Sequence, residues 1–100
     1  MSVTEEMMMD YIGIDADYAD DSIEARVDGV LSAAEMWLEG AVGHDVDMSD
    51  PRAVELVLMC GAELYEKRAL TNERLTQKVY ASMNRIASSI ILQLQYEEGA

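Results

Sequence analysis

The chain has 100 residues, half of them apolar, and a formal net charge of −13 at pH 7. This length predicts a single domain over residues 1–100 with one modest core, and the apolar half excludes a disordered acidic tail. No basic region followed by an apolar run opens the chain, and its longest apolar stretch, 56–62, is far shorter than the roughly 18 to 20 residues of a membrane span. We therefore expect a soluble protein made in a cytoplasm, without a membrane partner.

The charge is unevenly distributed along the chain. Residues 1–50 contain fourteen Asp and Glu against Arg26 alone, which accounts for the whole −13, whereas residues 51–100 contain six charges of each sign. Within this neutral half, five basic side chains face one Glu in a short segment: Lys67, Arg68, Arg74, Lys78 and Arg85. An acidic half followed by a local basic segment provides two complementary patches, which can join identical subunits head to tail.

Helical periodicity dominates the sequence and strand signals are weak, so we predict an all-α fold. A capping box formed by Ser2 and Glu5 predicts a first helix over about 3–11, which Gly13 stops. A short acidic loop is expected at 15–20.

The second predicted helix runs over about 22–42, with Asp21 and Glu24 as its cap and Gly43 as its stop. Its apolar residues recur in steps of three and four, which predicts one buried face. The opposite face is expected to present four carboxylates to solvent or to a partner: Glu24, Asp28, Glu35 and Glu39.

The third predicted helix begins with Asp50 as N-cap and Pro51 at the first helical position. Between 53 and 64 only Glu55 and Glu63 are charged, so most of the circumference is apolar. We therefore expect this helix to be the central one in a small bundle of about four helices.

A last helix over about 84–96 places Ile86 and Leu94 on one apolar face. The preceding residues, 70–83, keep helical spacing and contain no Pro or Gly, so intrinsic preference allows one continuous helix over 72–96. Aromatic side chains on the apolar stripes of the predicted helices are expected in the core: Tyr11, Trp37 and Tyr65.

The sequence contains no recognisable catalytic, cofactor-binding or metal-binding constellation. The two Asp-x-Asp pairs, at 15–17 and 45–47, lack the Gly and the bidentate Glu that a calcium loop needs at its sixth and twelfth positions. His44 has no second His or Cys ligand near it, and Cys60 lies in an apolar helix, where a buried structural thiol is expected. We therefore expect no enzyme activity, no cofactor and no metal.

Four segments form a pattern in chain order. They are Tyr11-Ile12-Gly13-Ile14-Asp15, the helix 32–39 with Gly43, the helix from Asp50-Pro51-Arg52 to Tyr65-Glu66-Lys67-Arg68, and Ser89-Ile90-Ile91-Leu92-Gln93-Leu94-Gln95-Tyr96. In this order they resemble the small head-tail connector (adaptor) proteins of long-tailed bacteriophages. The chain departs from the family pattern in having no proline just before the last helix and in carrying Gln95 where members have arginine.

The resemblance implies a structural virion protein without enzyme activity. Connector subunits form a homo-oligomeric ring below the portal protein, where they extend the DNA channel and dock the next head-completion or stopper protein. The expected location is the virion head–tail junction, after synthesis in the cytoplasm of a bacterial host from a phage or a prophage. The resemblance also implies an extended loop over 70–83 that reaches toward a neighbouring subunit, and we prefer this loop to the continuous helix.

Three sets of side chains follow as candidate functional residues. A lumen lined with carboxylates would let DNA pass without specific binding, because no phosphate finds a counter-charge there; the candidate channel-lining residues are Glu24, Asp28, Glu35 and Glu39. The candidate subunit interface is the basic segment, Lys67, Arg68, Arg74, Lys78 and Arg85, facing carboxylates of the next subunit, with pairing inside the chain or simple solvation as the alternative. The candidate contacts with the portal or a neighbour are Ile90, Ile91, Leu94 and Tyr96.

Two other classes of function fit an acidic helical protein. An acidic DNA mimic would occupy the DNA site of a host nuclease or restriction enzyme as a monomer or dimer, with strongly salt-dependent binding. A helical scaffold or regulatory subunit is the third class. Neither class accounts for the order of the four segments.

Overall fold

The computed structural model describes residues 2–99, and the side chains of the same residues except 70 and 97–99. This part of the chain forms α-helices and short 3-10 turns without any strand, which confirms the all-α prediction. The helices are α1 (Glu5–Ile12), α2 (Asp21–Val42), α3 (Pro51–Glu66), α4 (Glu73–Ile86) and α5 (Ser88–Gly99), with 3-10 turns at Ala16–Tyr18 and Ala69–Thr71.

The predicted starts of α1 and α2 are wrong by one or two residues. Thr4, rather than Ser2, accepts a hydrogen bond from an amide of the first turn of α1 at 3.1 Å. Asp20, rather than Asp21, does the same for α2 at 2.8 Å. Each true cap has an extended backbone, which turns its side-chain oxygen back toward the helix. Asp50 caps α3 as predicted.

Two glycines end helices where the sequence predicts. Gly13 after α1 and Gly43 after α2 have φ values of +97° and +92°, in the left-handed region that glycine adopts without a steric cost. Arg68 shares this region, with φ +50°, just after α3. These three residues set the directions in which the chain leaves its first three helices.

The long loop expected over 70–83 is wrong, because α4 occupies most of that segment. Asn72 caps α4 by accepting from an amide of its first turn at 3.0 Å, and Val79 and Met83 are buried. Local helical spacing therefore prevails over the loop that the resemblance implies. The chain is not one continuous helix either, because a turn at Ala87 separates α4 from α5, so the last helix begins at Ser88.

The core draws large, fully buried side chains from all five helices: Met8, Leu38, Leu56, Leu64, Met83 and Leu94. Helix α2 packs along α3, α1 contacts both, α4 packs against α3, and α5 packs against α2 and α4. Helices α1 and α3 approach closely at Gly61, where a Cβ atom would overlap the Cε of Met8.

The aromatic residues are not all in the core. Trp37 is buried as expected, and its indole Nε1–H donates to Asn84 Oδ1 at 3.0 Å, which joins α2 to α4. Tyr65 is half-buried. Tyr11 is 46% exposed, and Ile86, expected on the apolar face of the last helix, is 61% exposed. Both lie at the edge of the core, on a groove between α1, α3 and α4.

Candidate assembly surfaces

The four candidate channel-lining carboxylates follow one flank of α2. At about 100° per residue, they fall within a strip roughly 60° wide that borders the buried face instead of lying opposite it. Glu24 and Asp28 are exposed, whereas Glu35 and Glu39 are half-buried. We call this strip the acidic flank.

The C-terminal half of the acidic flank is an unfavourable environment for negative charge. Burial raises the pKa of Glu35, and the neighbouring carboxylate of Glu39 one turn later raises it further. In the described part of the chain, none of the four carboxylates forms an ion pair. The acidic flank is therefore a row of uncompensated negative charge, and two of its members already lack full hydration.

The structure divides the basic segment into separate parts. Arg74, Lys78 and Arg85 are exposed and fall within a strip roughly 40° wide on the outer side of α4, which we call the basic flank. Lys67 sits at the end of α3, where its ammonium pairs with Glu63 at 2.8 Å. Arg68 lines a pocket on the other side of that helix end.

Most of the described cationic side chains form no ion pair with another described residue, although the sequence contains twenty carboxylates. In the described part, Arg52 pairs with Asp50 at 2.7 Å and Lys67 pairs with Glu63. The remaining five cations make no ion pair there: Arg26, Arg68, Arg74, Lys78 and Arg85. Among the described residues, pairing inside the chain, the alternative considered for the basic segment, thus applies to Lys67 alone.

The candidate contact residues of the last helix do not form one surface. Ile91 and Leu94 belong to the core, with 8% and 0% exposure, so they cannot contact a partner unless α5 detaches. Ile90 is half-buried, and Tyr96 is 73% exposed. The outer side of α5 instead presents Leu92, 51% exposed, one turn before Tyr96. The spacing explains why the expected set mixes core and surface positions: Ile91 and Leu94 are three residues apart on the buried face, whereas Leu92 and Tyr96 are four apart on the exposed one.

A groove between α1, α3 and α4 is a surface that the sequence did not predict. Its volume is about 390 Å³, and exposed Tyr11 and Ile86 stand above a floor that includes Val79 and Met83. The signal in the sequence was the apolar stripe of α4, which includes buried Val79 and Met83 and continues to exposed Ile86. The groove could be recognised only once α4 was known to be helical.

The residues considered for metal binding and catalysis have structural roles. Asp15 Oδ1 accepts from the Asp17 amide at 2.9 Å, and Asp47 Oδ1 accepts from the Ser49 hydroxyl at 2.6 Å, so both aspartates organise turns. In the described part of the chain, no three His, Cys, Asp or Glu side chains are grouped to hold a metal ion. None of the described helices combines the length and apolarity required to cross a bilayer.

Cys60 is a buried thiol, as predicted. Burial, followed by the charge of Glu63, raises the pKa of Cys60 to about 12. The group is therefore protonated near neutral pH and is not a nucleophile in the folded state.

Comparison with known proteins adds no relative from which a function could be transferred. No protein-family model matches the chain, and neither a curated protein nor a solved structure does. The function must therefore be inferred from the surfaces and from the order of the sequence segments.

Proposed function

We propose that the chain is a non-enzymatic structural subunit of a bacteriophage or prophage head–tail junction. In this proposal, copies assemble into a ring below the portal protein, extend the DNA channel and dock a head-completion or stopper protein. DNA passes through without specific binding, and the subunit is built around α3 as its central helix. Support comes from the order of the four connector-like segments and from one structural observation, the two unpaired flanks of opposite charge.

The basic flank supplies one side of a head-to-tail contact. It is not self-complementary, so it needs a different, acidic patch of the next subunit, and such a contact generates a ring when its rotation closes. The basic flank meets carboxylates from residues 1–50 of the next subunit that lie outside the acidic flank, which are ten of the fourteen. Exposed pairs contribute only about 0 to 1 kcal/mol each, so they fix the register of the subunits.

Apolar contacts then provide most of the affinity between subunits. Several large apolar side chains are available on the surface: Tyr11, Met36, Ile86, Leu92 and Tyr96. The acidic flank faces the lumen, where uncompensated carboxylates repel the phosphates of the passing duplex.

Light scattering on a sizing column tests this proposal, over a wide range of protein concentration at low and moderate salt. We expect a closed ring of many subunits that loosens as salt rises. Arg74→Gln and Lys78→Gln should each weaken the ring, whereas Lys67→Gln, which removes one charge that is already paired, should not. A monomer at every concentration would contradict self-assembly.

A second candidate is the acidic DNA mimic, which the acidic flank specifically favours. Its carboxylates extend from residue 24 to residue 39, about 22 Å along the helix at 1.5 Å per residue, and can imitate a row of phosphates. A mimic should displace duplex DNA from a basic nuclease while remaining a monomer or dimer. Replacement of Glu24 by Gln and Asp28 by Asn would abolish that displacement of DNA without changing the oligomeric state measured by light scattering.

A further inference from the structure

A pocket between α2 and the end of α3 contains two arginines that make no ion pair with any described residue. Its volume is about 370 Å³, and its walls are formed by Arg26, Val30, Leu64, Tyr65, Arg68 and Thr71. Val30 and Leu64 are buried and form an apolar floor, whereas the two arginines are exposed at the rim. The pocket thus combines two cationic groups with an apolar surface.

Arg26 is held in place over the pocket by contacts with Tyr65. Its guanidinium carbon lies 4.2 Å from the centroid of the Tyr65 ring, and its Nη2 donates to the Tyr65 carbonyl at 3.3 Å. A guanidinium has five N–H donors, so this single hydrogen bond leaves most of them available. The aromatic contact therefore orients a cation without neutralising it.

Arg68 occupies the pocket at a cost to its backbone. It is the only residue other than glycine with positive φ among those described, at a position after a helix where glycine is usual. Thr71 Oγ1 donates to the Arg68 carbonyl at 3.0 Å and holds this conformation. A side chain kept at a strained position, without a partner inside the described chain, indicates a role outside the fold.

We propose that this pocket binds an oxyanion, a carboxylate or phosphate group held between the guanidiniums of Arg26 and Arg68. Planar guanidinium groups bind such oxygens with two parallel hydrogen bonds. The oxyanion is either a free ion or an acidic side chain of a second copy, because the two present the same chemistry. The pocket exists whether or not the chain forms a ring.

The electrostatics of the whole chain predict weak binding of a free ion. A net charge of −13 repels anions at a distance, so only the local field of the two arginines favours them. Binding should therefore require a high concentration of inorganic phosphate, and stabilisation by mass action is the suitable readout.

The test compares thermal unfolding in sodium phosphate and in sodium chloride at equal ionic strength and neutral pH. Phosphate stabilises many proteins without binding, so the decisive quantity is the difference between the wild-type chain and its variants. We expect Arg26→Gln and Arg68→Gly to lose part of the phosphate-dependent rise in Tm. Lys67→Gln, with the same change of charge outside the pocket, should keep all of it.

Arg68→Gly removes the guanidinium without an expected loss of stability, so its result cannot be attributed to misfolding. Glycine relaxes the positive φ, so this variant should unfold in chloride at the same temperature as the wild-type chain or higher. A loss of the phosphate effect in a variant that is at least as stable can come only from the missing guanidinium.

Light scattering on the same proteins identifies the source of the oxyanion. A phosphate effect confined to the pocket in a monomer supports the free ion. A carboxylate of a second copy is supported if both pocket variants weaken assembly, Lys67→Gln does not, and added phosphate dissociates the assembly. Equal phosphate effects in all variants, together with assembly that the pocket variants leave unchanged, would overturn the proposal. Assembly lost in Arg74→Gln but kept in the pocket variants would then support the ring and not the pocket.

Discussion

The contact between Met8 and Gly61 means that Gly61→Ala should lower stability in the wild-type chain but raise it when Met8 is replaced by Ala. Gly61 lies inside α3, and a Cβ atom added there would overlap Met8 Cε and lie 2.9 Å from Met8 Sδ. Met8 has 0% exposure, so its thioether has no solvent-filled space into which it could move. We therefore expect Gly61→Ala to be unfavourable in the wild-type chain, although alanine is the better helix former.

The magnitude follows from two opposing terms. Replacing glycine inside a helix gains about 1 kcal/mol of helix propensity, whereas overpacking a core costs about 1 to 3 kcal/mol. Gly61→Ala should thus change stability by between about 0 and −2 kcal/mol. In a Met8→Ala background the nearest remaining atom is the carbonyl oxygen of Val30 at 3.7 Å, an ordinary contact, so the same substitution should stabilise by about 1 kcal/mol.

Urea unfolding of the two single variants and the double variant measures this coupling. Met8→Ala itself should cost about 2 to 5 kcal/mol, within the stability of most small domains. Gly40→Ala is the matched control, because a Cβ at that helical position meets no atom within 4 Å and should show the propensity gain alone. If Gly61→Ala stabilised the wild-type chain as much as Gly40→Ala does, Met8 would be free to move and the reasoning would be refuted.

Two further predictions concern titratable side chains. The folded-state pKa of Glu35 is raised above its usual value of 4.5, so its ionised form opposes folding and the native state loses stability as pH rises through that range. Glu35→Gln, which also removes repulsion from Glu39, should raise the free energy of unfolding at neutral pH by about 0.2 to 0.5 kcal/mol, and should give no gain below pH 4.5. Urea unfolding at both pH values measures the difference, and a gain that persisted in acid would contradict the prediction. Burial raises the pKa of Cys60 to about 12, so its thiol should react with a thiol reagent more than about a thousand times more slowly in the folded chain than in urea. Equal reaction rates in the two conditions would show that the core is open.

Local sequence was sufficient to predict the ends of α1 and α2 and the start of α3. Gly13 and Gly43 end helices because left-handed backbone favours glycine, and Asp50 with Pro51 starts α3 because each suits its capping position. The burial of Cys60 followed from the apolar sequence around it. These features depend on residues near one another in the chain, so periodicity and capping chemistry specify them.

The segment 70–83 shows where a resemblance was less reliable than local chemistry. Its apolar residues have helical spacing, it contains no proline, and Asn72 provides an N-cap. Helix α4 therefore forms there. The loop implied by the connector family was wrong for this chain, which also lacks the family's proline before the last helix.

Contacts between distant residues were decided by the tertiary structure alone. The Trp37 indole meets Asn84, and the Arg26 guanidinium lies over Tyr65, because the packing of α2 against its neighbours brings together side chains that are far apart in sequence. The same packing leaves Arg26 and Arg68 in one pocket without an ion pair to any described residue. The sequence by itself determined which segments are helical and how the charge is divided between the halves. Only the packing of the helices decided which of those charges meet, because helix formation is local whereas the juxtaposition of side chains depends on how entire helices pack.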